Sequence, residues 1–107
     1  VALDHDERPR LQADLGRKNA MLLRNHGTLT LGKSCAEAFM RMYFLERACT
    51  MQVRTRIFGS DPVQTAPAVI DKNAALAHSS GTAAIANYLV WPALLRKLDR
   101  LDPGYKT

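Results

Sequence analysis

The stretch from Ala36 to Ile57 contains neither glycine nor proline and is rich in Ala, Met, Leu, Glu and Arg, residues that a helix accommodates at little cost. It is introduced by Ser34-Cys35-Ala36-Glu37. This is a capping box, in which the serine hydroxyl accepts from the third helical N–H and the glutamate reaches back toward the cap. The pattern predicts one helix of about twenty residues, roughly 30 Å long. Its first half (Ala38, Phe39, Met42, Tyr43, Phe44, Leu45) is apolar nearly all round. That predicts burial on more than one side, in a core or at a subunit interface. The second half, with Gln52, Arg54, Thr55 and Arg56, is polar and is expected to reach solvent.

The segments before this helix read as a short helix and a hairpin. Glu7 to Lys18 pairs Leu11 with Leu15 at i,i+4, accepts Pro9 near its start and meets a stop at Gly16. Ala20-Met21-Leu22-Leu23 is a continuous apolar run, expected to be a fully buried strand. Thr28-Leu29-Thr30-Leu31 alternates, as a strand with one polar face does. The insert Arg24-Asn25-His26-Gly27 joins the two as a turn. After the long helix, Gly59 to Pro67 is a loop with two prolines, and Ala68 to Ser79 is a helix expected to stop at Gly81. Thr82 to Val90 is helical; Trp91-Pro92 either kinks it or restarts it. Leu94, Leu95, Leu98 and Leu101 then form an apolar stripe, and DPGYKT ends the element.

Two strands with three or four helices do not close a sheet. A solitary hairpin is marginal in water, and an all-apolar strand wants neighbours on both edges and cover on both faces. Residues 1–107 are therefore expected to be part of a larger layered α/β domain, and the start at Val1 rather than Met agrees.

Charge and cysteine usage narrow the function classes. Fifteen Lys and Arg against ten Asp and Glu give a net charge of +5, compatible with anionic partners. The basic residues are scattered, with no dense run and no aromatic-interleaved strand motif, which argues against nucleic acid. No apolar run reaches the ~18–20 residues of a membrane span, and the N-terminal residues do not resemble a secretory leader. Cys35 and Cys49 fall on one predicted helix, about 21 Å apart, too far for a disulfide. They are expected to be reduced thiols in a cytoplasmic protein.

Of the three histidines, His5 and His78 read as surface residues. His26 follows an apolar strand and precedes a glycine that permits close approach. Two readings are open for it: a structural turn histidine, or a zinc ligand. A catalytic zinc takes three protein ligands and water, and the chain has no HxH or HExxH.

The run Lys18 to Gly32 (KNAMLLRNHGTLTLG), followed by Ala36-Glu37-Ala38-Phe39 and Tyr43-Phe44-Leu45-Glu46-Arg47-Ala48-Cys49, resembles the class II aldolase/adducin family. Ala2-Leu3-Asp4 and Glu7 to Leu11 resemble the lead-in of its bacterial adducin-like branch, and Trp91 to Arg100 the end of that branch. The resemblance implies a three-layer α/β/α domain of which 1–107 is the C-terminal part, the part bearing the HxH being missing. It implies zinc held by three histidines, the third corresponding to His26. The zinc would be a Lewis acid toward a small-molecule ketose or ketone, such as a sugar phosphate, in a lyase that forms an enediolate. The family's HxH, acid/base glutamate and phosphate loop are absent here, so the chain alone is expected to be inactive. Homo-oligomers, commonly tetramers, are also implied. The adducin head shares the fold without the metal histidines, which gives the alternative of a non-catalytic binding module. No motif extends the family's catalytic tail tyrosine to Tyr105.

Overall fold

The protein, seen in a computed structural model, is described over residues 5–57, 59 and 61–106. The expected lead-in Ala2-Leu3-Asp4 lies outside the described residues, as does Ser60 of the loop. The elements run α1 (Glu7–Leu15), β1 (Ala20–Leu23), β2 (Gly27–Thr30), α2 (Cys35–Ile57), α3 (Pro67–Ala77), α4 (Ser80–Ala84), a π-helical segment (Ile85–Val90), α5 (Trp91–Leu101) and a 3₁₀ turn (Pro103–Lys106). They fall into two units, residues 1–53 and 54–107, with α2 running across the division.

In the first unit, α1 ends at Gly16, whose positive φ of 55° is where an L side chain is disfavoured. β1 and β2 pair antiparallel, with Ala20 opposite Thr30, Met21 opposite Leu29, Leu22 opposite Thr28 and Leu23 opposite Gly27. Leu31 extends the ladder, its N–H donating to Asn19 C=O at 2.9 Å. In the antiparallel alternation Asn19, Met21 and Leu23 therefore bond inward, and the N–H and C=O of Ala20 and Leu22 point to the other edge. Among the described residues β1 pairs with β2 alone.

Two expectations about burial are corrected. The apolar strand β1 is not fully buried: Met21 and Leu23 are half-buried, but Leu22 is 66% exposed. A two-stranded sheet has no third strand to cover that edge. Nor is the first half of α2 buried all round, since Phe39, Tyr43 and Phe44 are 45%, 50% and 58% exposed. One face of α2 meets the hairpin; the aromatic side chains lie round the rest of the helix. Tyr43 and Phe44 stack edge-on at 5.6 Å, and the Arg47 guanidinium sits 5.4 Å from the Tyr43 ring centre. The polar second half is exposed as expected.

In the second unit, α3 ends at His78, and Ser79 caps α4 by accepting from Thr82 N–H at 3.2 Å. The break thus falls before Ser80, and Gly81 lies inside α4 rather than ending α3. The helix then continues through the π segment into α5, so the restart at Trp91-Pro92 occurs without interruption. Pro92 lacks an N–H and its ring crowds the preceding turn. One wider turn, closed by Trp91 N–H on Ala86 C=O, absorbs both effects. The leucine stripe of α5 is half-buried at Leu94 and Leu95 and open at Leu101.

Candidate functional site: the hairpin turn and its cleft

Residues 24–26 form the connection between β1 and β2. His26 N–H donates to Leu23 C=O at 3.1 Å, and Asn25, at the third position of that turn, has φ 56°. This is the position that takes Gly or Asn in a type II turn, which accounts for the asparagine. Gly27 follows with φ 151°, a value an L residue rarely adopts. Asn25 and Gly27 therefore suit the backbone on either side of His26, and the turn leaves Asn25 and His26 exposed.

The hairpin is fastened to α2 along one face. Thr30 Oγ1 donates to Ala38 C=O at 2.9 Å, and Thr28 Oγ1 lies 3.0 Å from Glu46 Oε1 and 3.2 Å from Met42 Sδ. At the junction Ser34 Oγ accepts from Glu37 N–H at 3.2 Å, which is the cap expected from the sequence. Glu37 Oε2 accepts from Lys33 N–H at 3.2 Å and pairs with Arg41 at 3.4 Å. Arg41 in turn donates to Leu31 C=O. Glu37 is only 8% exposed, so its charge is held by neighbours rather than by water. Gly32 lies so close to this helix start that an added Cβ would stand 2.5 Å from Ala38 N and 2.8 Å from Glu37 Cβ. Gly32 closes the run that carries the family resemblance, but the sequence reading gave it no structural role, and Arg41 was not singled out. For Gly32 the signal was a lone glycine between a strand and a capping box, where backbone approaches backbone.

On the opposite side of the hairpin an open cleft of about 920 Å³ is lined by Leu11 and Asp14 of α1, Met21, Leu23 and Leu29 of the strands, and His26 at the turn. Glu7, Arg10 and Arg24 also line it, so the cleft is of mixed polarity, and the turn places an imidazole along it. Among the described residues no group of three His, Cys, Asp or Glu could hold a metal ion. His5 and His78 are exposed elsewhere in the chain, and the two cysteines are free. The donor set here, one imidazole, does not by itself fit a catalytic zinc.

A second polar cluster sits at the end of the chain. Tyr105 Oη donates to Asp99 Oδ1 at 2.6 Å, and Lys106 Nζ pairs with the same oxygen at 2.7 Å. Lys106 and then Tyr105 hold the Asp99 carboxyl below its ordinary range, and Asp99 raises both the tyrosine and the lysine. Tyr105 is an exposed tail residue, and this bond ties it back to α5.

The hairpin, its NHG turn and the capped helix behind it define a recognisable class. Residues 2–53 match the family model described as Class II Aldolase and Adducin N-terminal domain, and the chain belongs to the class II aldolase/adducin family. It is 46% identical over 98% of its length to a Caulobacter vibrioides protein named "Putative aldolase class 2 protein", and spans 40% of that relative. It is 35% identical to rat alpha-adducin over its whole length, spanning 16% of that protein. The crystal structure of an aldolase II superfamily protein from Pseudomonas syringae superposes with a TM-score of 0.78 at 38% identity, covering 100% of this chain and 43% of that one. The fold class is accordingly α/β, of the class II aldolase type. The chain spans less than half the length of each of these relatives. No helix among the described residues is long and apolar enough to cross a membrane.

Proposed function

We propose that residues 1–107 are the C-terminal part of a class II aldolase-like domain in a zinc-dependent lyase, and that His26 is one of its metal ligands. The observation that carries this reading is the NHG turn. Asn25 and Gly27 take φ values that suit their residue types, and the turn leaves the His26 imidazole exposed along a cleft. A turn histidine kept only for structure would be expected to bond to its surroundings through the ring; His26 instead bonds Leu23 C=O through its backbone N–H. The remaining ligands, the acid/base group and the phosphate-holding groups would come from outside this chain. Bound zinc would supply Lewis acidity toward the carbonyl of a sugar phosphate or related hydroxy-carbonyl compound. The protein would work in the cytoplasm as a homo-oligomer, with tetramers the expected state. Similarity to proteins named as class 2 aldolases supports this reading.

A second reading is a non-catalytic binding module of the adducin-head kind, favoured by the 35% identity to alpha-adducin over the full chain. Elemental analysis of the complete gene product separates the two. The lyase reading expects zinc near one per subunit, largely lost in His26→Ala with the circular dichroism spectrum unchanged. Full zinc in His26→Ala removes the ligand assignment, and no metal in the parent favours the binding module.

A further inference from the structure

The pair Leu45-Glu46 is part of the helix pattern that carries the family resemblance, and the reading above gives it no task. We propose that Glu46 is a positioning residue for the turn that bears His26, acting through the Thr28 hydroxyl. The inference rests on His26 being the functional residue of that turn.

The hairpin is secured to α2 at two levels. Near its base, Thr30 bonds Ala38 C=O and Arg41 bonds Leu31 C=O. From Thr30 to the turn the chain continues for four residues, about 13 Å at strand rise. A two-stranded ribbon of that reach bends easily, and the Leu23–His26 backbone bond closes the turn without tying it to anything else. Thr28 supplies the second level. It stands two residues from His26, and its hydroxyl meets Glu46 eighteen positions along the chain.

The hydroxyl has one proton and two acceptors in reach, Glu46 Oε1 at 3.0 Å and Met42 Sδ at 3.2 Å. A carboxylate is a charged acceptor and a thioether a weak one, so the proton goes to Glu46. Glu46 lies two helical turns beyond Ala38, so the two threonines of β2 meet one face of α2. This is the spacing that lets a rigid helix hold a hairpin at two heights. A glutamate is long enough to reach across the gap beside Met42, and a glutamine would keep the acceptor oxygen at the same reach.

The test uses the complete gene product with Glu46→Ala, Glu46→Gln and Thr28→Val, read by ¹⁵N relaxation and amide exchange at Asn25, His26 and Gly27. Glu46→Ala and Thr28→Val are each expected to lower the order parameters of these amides and to speed His26 N–H exchange about fivefold, the scale of one net hydrogen bond. Glu46→Gln restores both, and the double variant Thr28→Val/Glu46→Ala adds nothing to either single one. Turn amides in Glu46→Ala indistinguishable from the parent, or a Glu46→Gln variant as loose as Glu46→Ala, would overturn the proposal. His26→Ala reports separately on the metal reading. Unchanged zinc there, beside a loosened turn in Glu46→Ala, defeats the metal assignment and upholds the positioning role.

Discussion

Replacing Gly32 by alanine should damage the molecule out of proportion to one methyl group. The added Cβ would lie 2.5 Å from Ala38 N, 2.8 Å from Glu37 Cβ and 2.9 Å from Ser34 C=O oxygen. Two of these three are backbone atoms of the α2 start, so no flexible side chain can swing aside. The strand exit and the helix start must separate by about half an ångström or more to restore ordinary contact. Overpacking of this kind costs about 1–3 kcal/mol. The separation also strains the Ser34 cap, worth about 1 kcal/mol. The sum is about 3 kcal/mol. With a urea slope of about 1.5 kcal/mol/M, the unfolding midpoint should drop by about 2 M. Gly81→Ala is the matched control. Gly81 lies inside α4 with its nearest neighbour, Ser79 Oγ, at 3.7 Å, so alanine there should gain about 0.5–1 kcal/mol from helix propensity. Urea melts of both variants followed by helical circular dichroism test the reasoning. A Gly32→Ala midpoint within about 0.3 M urea of the parent, about 0.5 kcal/mol at that slope, would refute the close approach of strand exit and helix.

Two further perturbations probe charge. Arg41→Met should destabilise by about 2 kcal/mol, because it removes the cation paired with the nearly buried Glu37 carboxylate; restoration of most of this loss in Arg41→Met/Glu37→Gln, by the same melts, identifies the charge as the cause. The tail contact should depend on pH in a definite sense. Asp99 is lowered by its partners, so its contribution is present above the ordinary carboxylate range and is lost as pH falls through its lowered value. Tyr105 and Lys106 are raised, so theirs is complete below their ordinary values of 10.0 and 10.5 and is lost as pH rises through the raised ones. Tyr105 ring resonances should stay constant across neutral pH and shift toward free-tail values at both extremes, and Asp99→Asn should weaken the contact at neutral pH.

What was legible in the chain was local. The capping box placed the start of α2 within a residue, because Ser34 and Glu37 make their bonds within four positions of each other. Asn-His-Gly marked the turn, because the φ values of Asn25 and Gly27 belong to those residue types. Burial was less accessible. An apolar run such as Ala20–Leu23 announces the environment of a larger sheet, and within a two-stranded ribbon Leu22 is left exposed. The same holds for Phe39, Tyr43 and Phe44, which the apolar composition marks for burial and which stay 45%, 50% and 58% exposed. The π segment was hidden for another reason. Pro92 signalled a disturbance, but whether a helix kinks, breaks or widens by one residue depends on the packing of the preceding turn, where Ala86 is buried. At the candidate site, His26 was found from its neighbours in sequence. Thr28–Glu46 and Arg41–Leu31 span ten to eighteen positions, and no short pattern announces them.

The outward N–H and C=O groups of Ala20 and Leu22 have a consequence for handling the chain. A short, uncharged, apolar strand with an open side is a template for self-association, since any extended segment can complete its ladder. The protection visible in the sequence is electrostatic: Arg17 and Lys18 before the strand and Arg24 after it. When two copies approach antiparallel about Met21, Lys18 of each comes opposite Arg24 of the other, and like charges oppose the match. Those side chains act as gatekeepers against aggregation. Their repulsion is screened by salt, so concentrated samples should remain clear in dilute buffer and turn turbid as ionic strength rises.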